Sequence, residues 1–110
     1  MDNNKKQVVM DRLDIKIKNP SQINPNQVLH PRMIHYVYFE MYGHEKGHSP
    51  YEWLMILLIT YHGNPSVMDD YIFELMYKYI QAFTNKEIKI IKKQAKAKYK
   101  QLLKEQKNEK

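Results

Sequence analysis

Lysines near the carboxyl end form the largest group of like side chains that could act together. Residues 85–110 contain ten lysines and three glutamates, a net charge of +7, whereas residues 1–84 have a net charge of −1. Ammonium groups arrayed on one element bind phosphates and release counterions from a nucleic acid. The candidate nucleic-acid contacts are Lys86, Lys89, Lys92, Lys93, Lys96, Lys98, Lys100 and Lys104.

This basic segment contains no arginine, the residue that best reads guanine through two hydrogen bonds. We therefore expect it to contact the phosphate backbone rather than base edges. The alternative is a solvated helix surface that keeps a tyrosine-rich protein in solution. A membrane-surface helix is less favoured, because the apolar stripe of this segment lacks Trp and Phe and lysines nearly encircle the helix.

Residues 44–48 match the zinc-protease pattern H-E-x-x-H, with His44 and His48 as candidate ligands and Glu45 as the candidate base. That chemistry requires both histidines on one helix face. Flanking glycines and the following Ser49-Pro50 disfavour such a helix, so we interpret the stretch as a polar loop. Zinc hydrolysis remains a minor alternative. The main expectation is a protein that is not an enzyme, with no metal and no other cofactor.

Three tyrosines fall away from the strongest apolar faces and are candidates for stacking with bases: Tyr36, Tyr38 and Tyr77. Aromatic rings beside positive charge can stack single-stranded bases in a sequence-tolerant way. The alternative is core packing, because a tyrosine at helical spacing commonly buries its ring and keeps its hydroxyl wet.

The element that must position these groups is the run from Trp53 to Ile59, which contains no polar residue. A helix without a polar face has to be covered on every side. The run is too short to span a bilayer, which needs about 20 apolar residues. Ser49 as N-cap, Pro50 in the first turn and Glu52 as capping-box partner predict where this helix begins.

Two further helices are predicted after it. An apolar stripe over residues 67–83 indicates an amphipathic helix capped by Ser66, with Asp69 and Asp70 in its first turn. Thr84 and Glu87 form a second capping box that opens the basic helix. The positions of this last helix that face the body are Ile88, Ile91, Ala95, Tyr99 and Leu102.

The first part of the chain is more ambiguous. Arg32 to Tyr42 is interpreted as a helix ending at Gly43, although its aromatic and β-branched content leaves a strand as an alternative. Leu13, Ile15 and Ile17 alternate with charged residues, which favours a short strand, although Gln7 to Leu13 could equally form a short helix.

The sequence as a whole predicts an all-α fold, a compact bundle of about four helices. We expect residues 1–29 to be an extended N-terminal arm and linker. Residues 30–110 are expected to form the helical domain, with the basic C-terminal helix at 85–110.

We expect a small non-enzymatic accessory protein that binds nucleic acid, DNA rather than RNA, including single-stranded DNA. The alternative is a protein–protein interaction subunit of a larger replication or phage enzyme, or a homodimer. The chain has no cysteine and no apolar run of signal-peptide length, which favours the cytoplasm and argues against a membrane. Its richness in Lys, Asn, Ile and Tyr is typical of AT-rich bacterial genomes and mobile elements.

Overall fold

The central apolar helix predicted from the sequence is the element against which the other helices pack. The computed structural model describes residues 3–42 and 47–108. Within this part of the chain there are five α-helices and no strand, so the all-α prediction is confirmed. The helices are α1 (Asn3–Leu13), α2 (Pro31–Phe39), α3 (Pro50–Gly63), α4 (Asp70–Ile80) and α5 (Asn85–Asn108). Single 3-10 turns lie at Pro20–Gln22, Pro25–Gln27 and Pro65–Val67.

Helix α3 begins where its capping box predicts. The Ser49 Oγ accepts a hydrogen bond from the Glu52 backbone N–H at 3.1 Å, and the Glu52 carboxylate accepts one from the Ser49 N–H at 3.0 Å. Residues 54–61 are all buried. Helices α2, α4 and α5 pack directly against α3, which covers the apolar circumference that the sequence requires to be covered.

Residues 3–13 form a helix, which confirms the alternative for Gln7 to Leu13 and corrects the prediction of an extended arm or strand. Val9 and Leu13 of α1 are buried, and the helix packs on α4 and α5. The apparent alternation was misleading because it spans the end of this helix, where Ile15 is buried but Ile17 is 52% exposed. Burial of one helical face therefore outweighs a short alternating pattern.

Two contacts fix the end of α1. Asp14 adopts a left-handed backbone with φ of 51°, and the Ile15 N–H bonds the Met10 carbonyl at 3.0 Å, which together form a Schellman-type terminus. The Arg12 guanidinium donates to the Ile80 carbonyl at 3.2 Å and the Phe83 carbonyl at 2.8 Å. Arg12 thus caps the C-terminus of α4 and ties α1 to the α4–α5 corner.

The starts of the later helices agree with the prediction at α5 and differ at α4. Thr84 and Glu87 form the predicted reciprocal hydrogen bonds at 2.8 and 3.1 Å. The N-cap of α4 is Asp69, whose carboxylate accepts from the Ile72 N–H at 2.9 Å, rather than Ser66. Ser66 lies in a separate 3-10 turn, because Met68 takes an extended conformation and interrupts the helix.

Helix α2 confirms the helical interpretation of residues 31–39 and ends earlier than Gly43. On α5, all the side chains predicted to face the body are buried: Ile88, Ile91, Ala95, Tyr99 and Leu102.

A linker, residues 14–30, crosses from α1 to α2 over the ends of α3 and α5. The Tyr61 hydroxyl donates to the Lys16 carbonyl at 3.1 Å, and the Tyr99 hydroxyl donates to the Gln27 carbonyl. The Gln106 amide donates to the Val28 carbonyl at 3.1 Å. Three side chains of the helices thus hold the linker backbone at three separate points.

Close packing also holds the linker at Gly63, the last residue of α3. The buried Leu29 donates its N–H to the Gly63 carbonyl at 2.6 Å. A Cβ at position 63 would lie 2.5 Å from the Leu29 Cδ1 and 2.8 Å from its Cγ. Gly63 is therefore required for the close approach of the linker to α3.

We predict that Gly63→Ala destabilises the fold by about 1–3 kcal/mol, because the added methyl overpacks the buried contact with Leu29. Urea unfolding monitored by circular dichroism measures this change. In a Leu29→Ala background the clashing atoms are gone, so Gly63→Ala should cost much less there. Equal costs in both backgrounds would contradict the packing explanation.

Candidate nucleic-acid interface

A groove of about 660 Å³ lies between α5 and the linker, and most of its charged side chains are lysines. Lys18 lines it from the linker, and four lysines line it from α5: Lys92, Lys93, Lys96 and Lys100. Tyr61, His62 and Tyr99 also line it. Asp14 is the one carboxylate among its lining residues, so the groove is strongly positive.

Helical geometry places most of the predicted lysines on one side of α5. At about 100° per residue, seven of the eight predicted lysines fall within an arc of about 120°. They are Lys86, Lys89, Lys92, Lys93, Lys96, Lys100 and Lys104. Lys98 falls on the opposite side with Glu87 and Glu105. Apart from Lys98, the predicted lysines therefore form one basic face and do not nearly encircle the helix.

The ammonium groups of this face are not neutralised by carboxylates within the described part of the chain. There, an ion pair joins Lys6 to Asp70 at 3.2 Å, and neither residue belongs to α5. Of the lysines that line the groove, Lys18, Lys93, Lys96 and Lys100 are exposed and Lys92 is half-buried. These charges repel one another and remain available to an external polyanion.

His62 lies in the groove at the end of α3, half-buried between two tyrosines. Its ring stacks on Tyr99 with centroids 5.8 Å apart and meets the edge of Tyr61 at 5.3 Å. Burial lowers the pKa of His62, and the charges of Lys96, Lys18 and Lys92 lower it further, to about 4. The imidazole is therefore neutral at pH 7 and can accept or donate a hydrogen bond without carrying a charge.

The groove is held together by residues that also stabilise the fold. Tyr61 and Tyr99 each use the ring to pack beside His62 and the hydroxyl to bind the linker backbone. The linker wall is thereby fixed relative to α5 before any ligand binds.

The structure brings together half of the predicted lysines and adds Lys18 and His62, which were not predicted as site residues. Lys92, Lys93, Lys96 and Lys100 line the groove, and the other predicted lysines do not. Lys18 and His62 were missed because they are distant in sequence from the basic helix. The sequence pointed to His62 in one way, by its position: Tyr61 and His62 come directly after the apolar run, whose residues 54–60 are buried.

The tyrosines predicted to stack bases do not line this groove. Tyr36 lines a second cavity of about 550 Å³ together with Arg32 and His35. Tyr38 is half-buried, and burial raises the pKa of its hydroxyl, which Thr60 partly offsets. Tyr77 lies under the Lys5 ammonium, 5.4 Å from the ring centroid.

Of the H-E-x-x-H pattern, His44 and Glu45 lie outside the described residues. His48 is described, with its ring edge against Trp53 at a centroid distance of 5.0 Å and a buried Nε2 that has no hydrogen-bond partner. Within residues 3–42 and 47–108, no cluster of three His, Asp or Glu side chains could hold a metal ion.

None of the described helices combines the length and the apolar character needed to cross a lipid bilayer. Comparison of the chain with protein-family models, with curated proteins and with solved structures finds no match. A functional interpretation therefore depends on the groove itself.

We predict that the fold loses stability as the pH falls from about 6.5 towards 4. In this window unfolded His62 binds a proton that the folded ring resists, so acid favours the unfolded state. The full shift corresponds to about 3 kcal/mol, which solvent screening of the half-buried ring reduces to about 1–2 kcal/mol.

Urea unfolding at several pH values, compared between wild type and His62→Phe, measures this contribution. Phe keeps a ring against Tyr99 but cannot titrate, so its stability should fall less over the window. Parallel pH profiles would show that His62 contributes nothing.

Proposed function

We propose that this protein is a small non-enzymatic accessory protein that binds nucleic acid by its phosphate backbone, with the lysine groove as the binding site. DNA, including single-stranded DNA, is the proposed ligand. The single observation that carries the proposal is the set of five lysines on two walls of one groove, opposed by one lining carboxylate. The cytoplasm, where proteins fold without disulfides, is the proposed compartment.

The mode of binding follows from charge and size. Lysine is a point charge that attracts a phosphate without fixing its orientation, which suits contact independent of sequence. A groove of about 660 Å³ has the volume of a site that encloses a small ligand rather than a duplex. A flexible single strand could enter it, whereas a duplex would contact only the outward lysines of α5.

We predict that binding of a short oligothymidylate weakens steeply as salt is raised. If the five groove lysines each neutralise one phosphate, the slope of log K against log salt should be about −3.5 for a single strand. Isothermal titration calorimetry at several salt concentrations measures the slope. Affinity that does not change between low and moderate salt would contradict backbone binding.

The groove and the overall charge can be separated with two triple variants of equal net charge. Lys92→Gln/Lys96→Gln/Lys100→Gln should reduce the magnitude of the salt slope by about 2, since three phosphate contacts are lost. Lys5→Gln/Lys78→Gln/Lys98→Gln removes three lysines that do not line the groove and should change the slope little. Equal losses in both variants would indicate attraction by net charge alone.

We further predict that Asp14→Asn raises oligonucleotide affinity about two- to threefold, because it removes the carboxylate that lines the groove. Asn tolerates the left-handed backbone of residue 14, so the end of α1 should be kept. The same titration measures the gain, and an unchanged affinity would place the ligand elsewhere.

A second candidate function is an interaction subunit of a larger enzyme, or a homodimer. It is favoured by exposed apolar side chains that do not line the groove: Phe39 at 47%, Tyr71 at 65% and Ile90 at 52% exposed. Size-exclusion chromatography with light scattering tests the homodimer, and a monomer at every concentration would exclude it.

A further inference from the structure

We propose that the groove contains one defined phosphate subsite, formed by the ammonium groups of Lys18, Lys92 and Lys96 and the imidazole of His62. The inference extends the proposed function, on which it rests for the source of the phosphate. One phosphate would then be held by four specific side chains rather than attracted by a diffuse basic surface.

The four side chains reach this place from three separate parts of the fold. Lys18 comes from the linker, His62 from the end of α3, and Lys92 and Lys96 from successive turns of α5. Residues four apart lie on the same helix face, so the two α5 ammonium groups point to the same side. Cations on both walls with a neutral donor between them can surround a tetrahedral anion, which a single helix face cannot.

His62 identifies which lysines belong to the subsite. All five lysines line the groove. The charges that lower the pKa of His62 are those of Lys96, Lys18 and Lys92, and not those of Lys93 and Lys100. These three ammonium groups therefore have the strongest electrostatic effect on the ring. A phosphate placed among them would also lie beside His62.

The subsite is preorganised by contacts that do not involve a ligand. The Tyr61 hydroxyl holds the backbone of Lys16 through both its N–H and its carbonyl, at 3.2 and 3.1 Å, two residues before Lys18. The ring of Tyr99 stacks on His62. Groups held in place before binding lose less conformational entropy when the ligand arrives.

Proton uptake on binding follows from this arrangement. The charged and titratable groups that face His62 are Lys18 and Asp14 of the linker, Lys92, Lys96 and Tyr99 of α5, and Tyr61 of α3. Without ligand, burial and the lysine charges keep the ring neutral. A bound phosphate offsets the lysine charges and adds a negative charge beside the ring, which favours protonation of His62 against the burial that still opposes it. The protonated ring then adds a fourth positive charge to the subsite.

Binding should therefore strengthen as the pH falls. If the bound phosphate returns the pKa of His62 to about 6.5, affinity should rise about tenfold between pH 7.5 and pH 5.5. Near pH 5.5 binding should take up about 0.9 proton per site, and at pH 8 almost none.

Calorimetry with an oligothymidylate that lacks terminal phosphates tests this, because phosphodiesters do not titrate in this range. Titrations in two buffers of different ionisation enthalpy count the protons taken up. His62→Gln should abolish most of the uptake and flatten the pH dependence. Lys18→Gln should lower affinity about five- to tenfold, and Lys93→Gln, in the groove but outside the subsite, about twofold or less.

The His62 ring proton resonance on full-length wild-type protein separates the two sources of phosphate. If inorganic phosphate moves it more than chloride at equal ionic strength, the subsite accepts a free phosphate. If only the oligonucleotide shifts the resonance, the subsite binds phosphate only as part of a nucleic-acid strand. Both results support the subsite.

The possible failures are distinguishable. Steep salt-dependent oligonucleotide binding with equal proton uptake in wild type and His62→Gln would overturn the subsite and leave the proposed function standing. Absence of oligonucleotide binding, with inorganic phosphate still moving the His62 resonance, would overturn the function and keep the subsite. No effect of either ligand would overturn both.

Discussion

The need to cover an apolar helix on its whole circumference determines the arrangement of the other elements. Residues 54–60 of α3 are all buried, and α2, α4 and α5 all pack on this helix. Only the two ends of α3 reach water. The polar residues that follow the apolar run, Tyr61 and His62, therefore appear at the rim of the core, where a groove can form.

The pKa of His62, at the rim of the core, is subject to opposing electrostatic effects. The C-terminus of a helix carries a partial negative charge that by itself favours a protonated histidine, by about 0.3–1 kcal/mol. His62 nevertheless has a lowered pKa, because burial and the charges of Lys96, Lys18 and Lys92 act against protonation and are stronger. A core helix and a basic helix thus jointly keep a neutral ring among cations.

Features with a local signal in the sequence were predictable. The capping boxes at Ser49 and Thr84, and the buried stripe of α5 from Ile88 to Leu102, depend on residues within a few turns of one another. Helix α1 has a weaker local signal, because its buried face contains Val9 and Leu13 before the chain turns at Asp14. A helix and a strand therefore both stayed open over this part of the sequence.

The groove itself needed the path of the linker. Its α5 lysines could be selected from their spacing and charge, but nothing local indicates that Lys18 lies across from them. That placement results from tertiary contacts of Tyr61, Tyr99 and Gln106 with linker backbone atoms. Hydrogen bonds to backbone carbonyls cannot be predicted from the pattern of side chains, because every residue has a carbonyl. The prediction of Tyr36, Tyr38 and Tyr77 as stacking residues failed to place them in the groove for a related reason. Helical spacing predicts whether a ring is exposed, but not whether it lies near the lysines of α5.

The linker is attached mainly through its backbone, and between Ile15 and Leu29 none of its side chains is buried. Substitutions along residues 16–28 would thus alter the shape and charge of one wall while leaving the helical core unchanged. Segments of this kind accept changes in length and composition more readily than packed helices do. The linker wall of the groove can therefore change in shape and charge while the α5 wall stays the same.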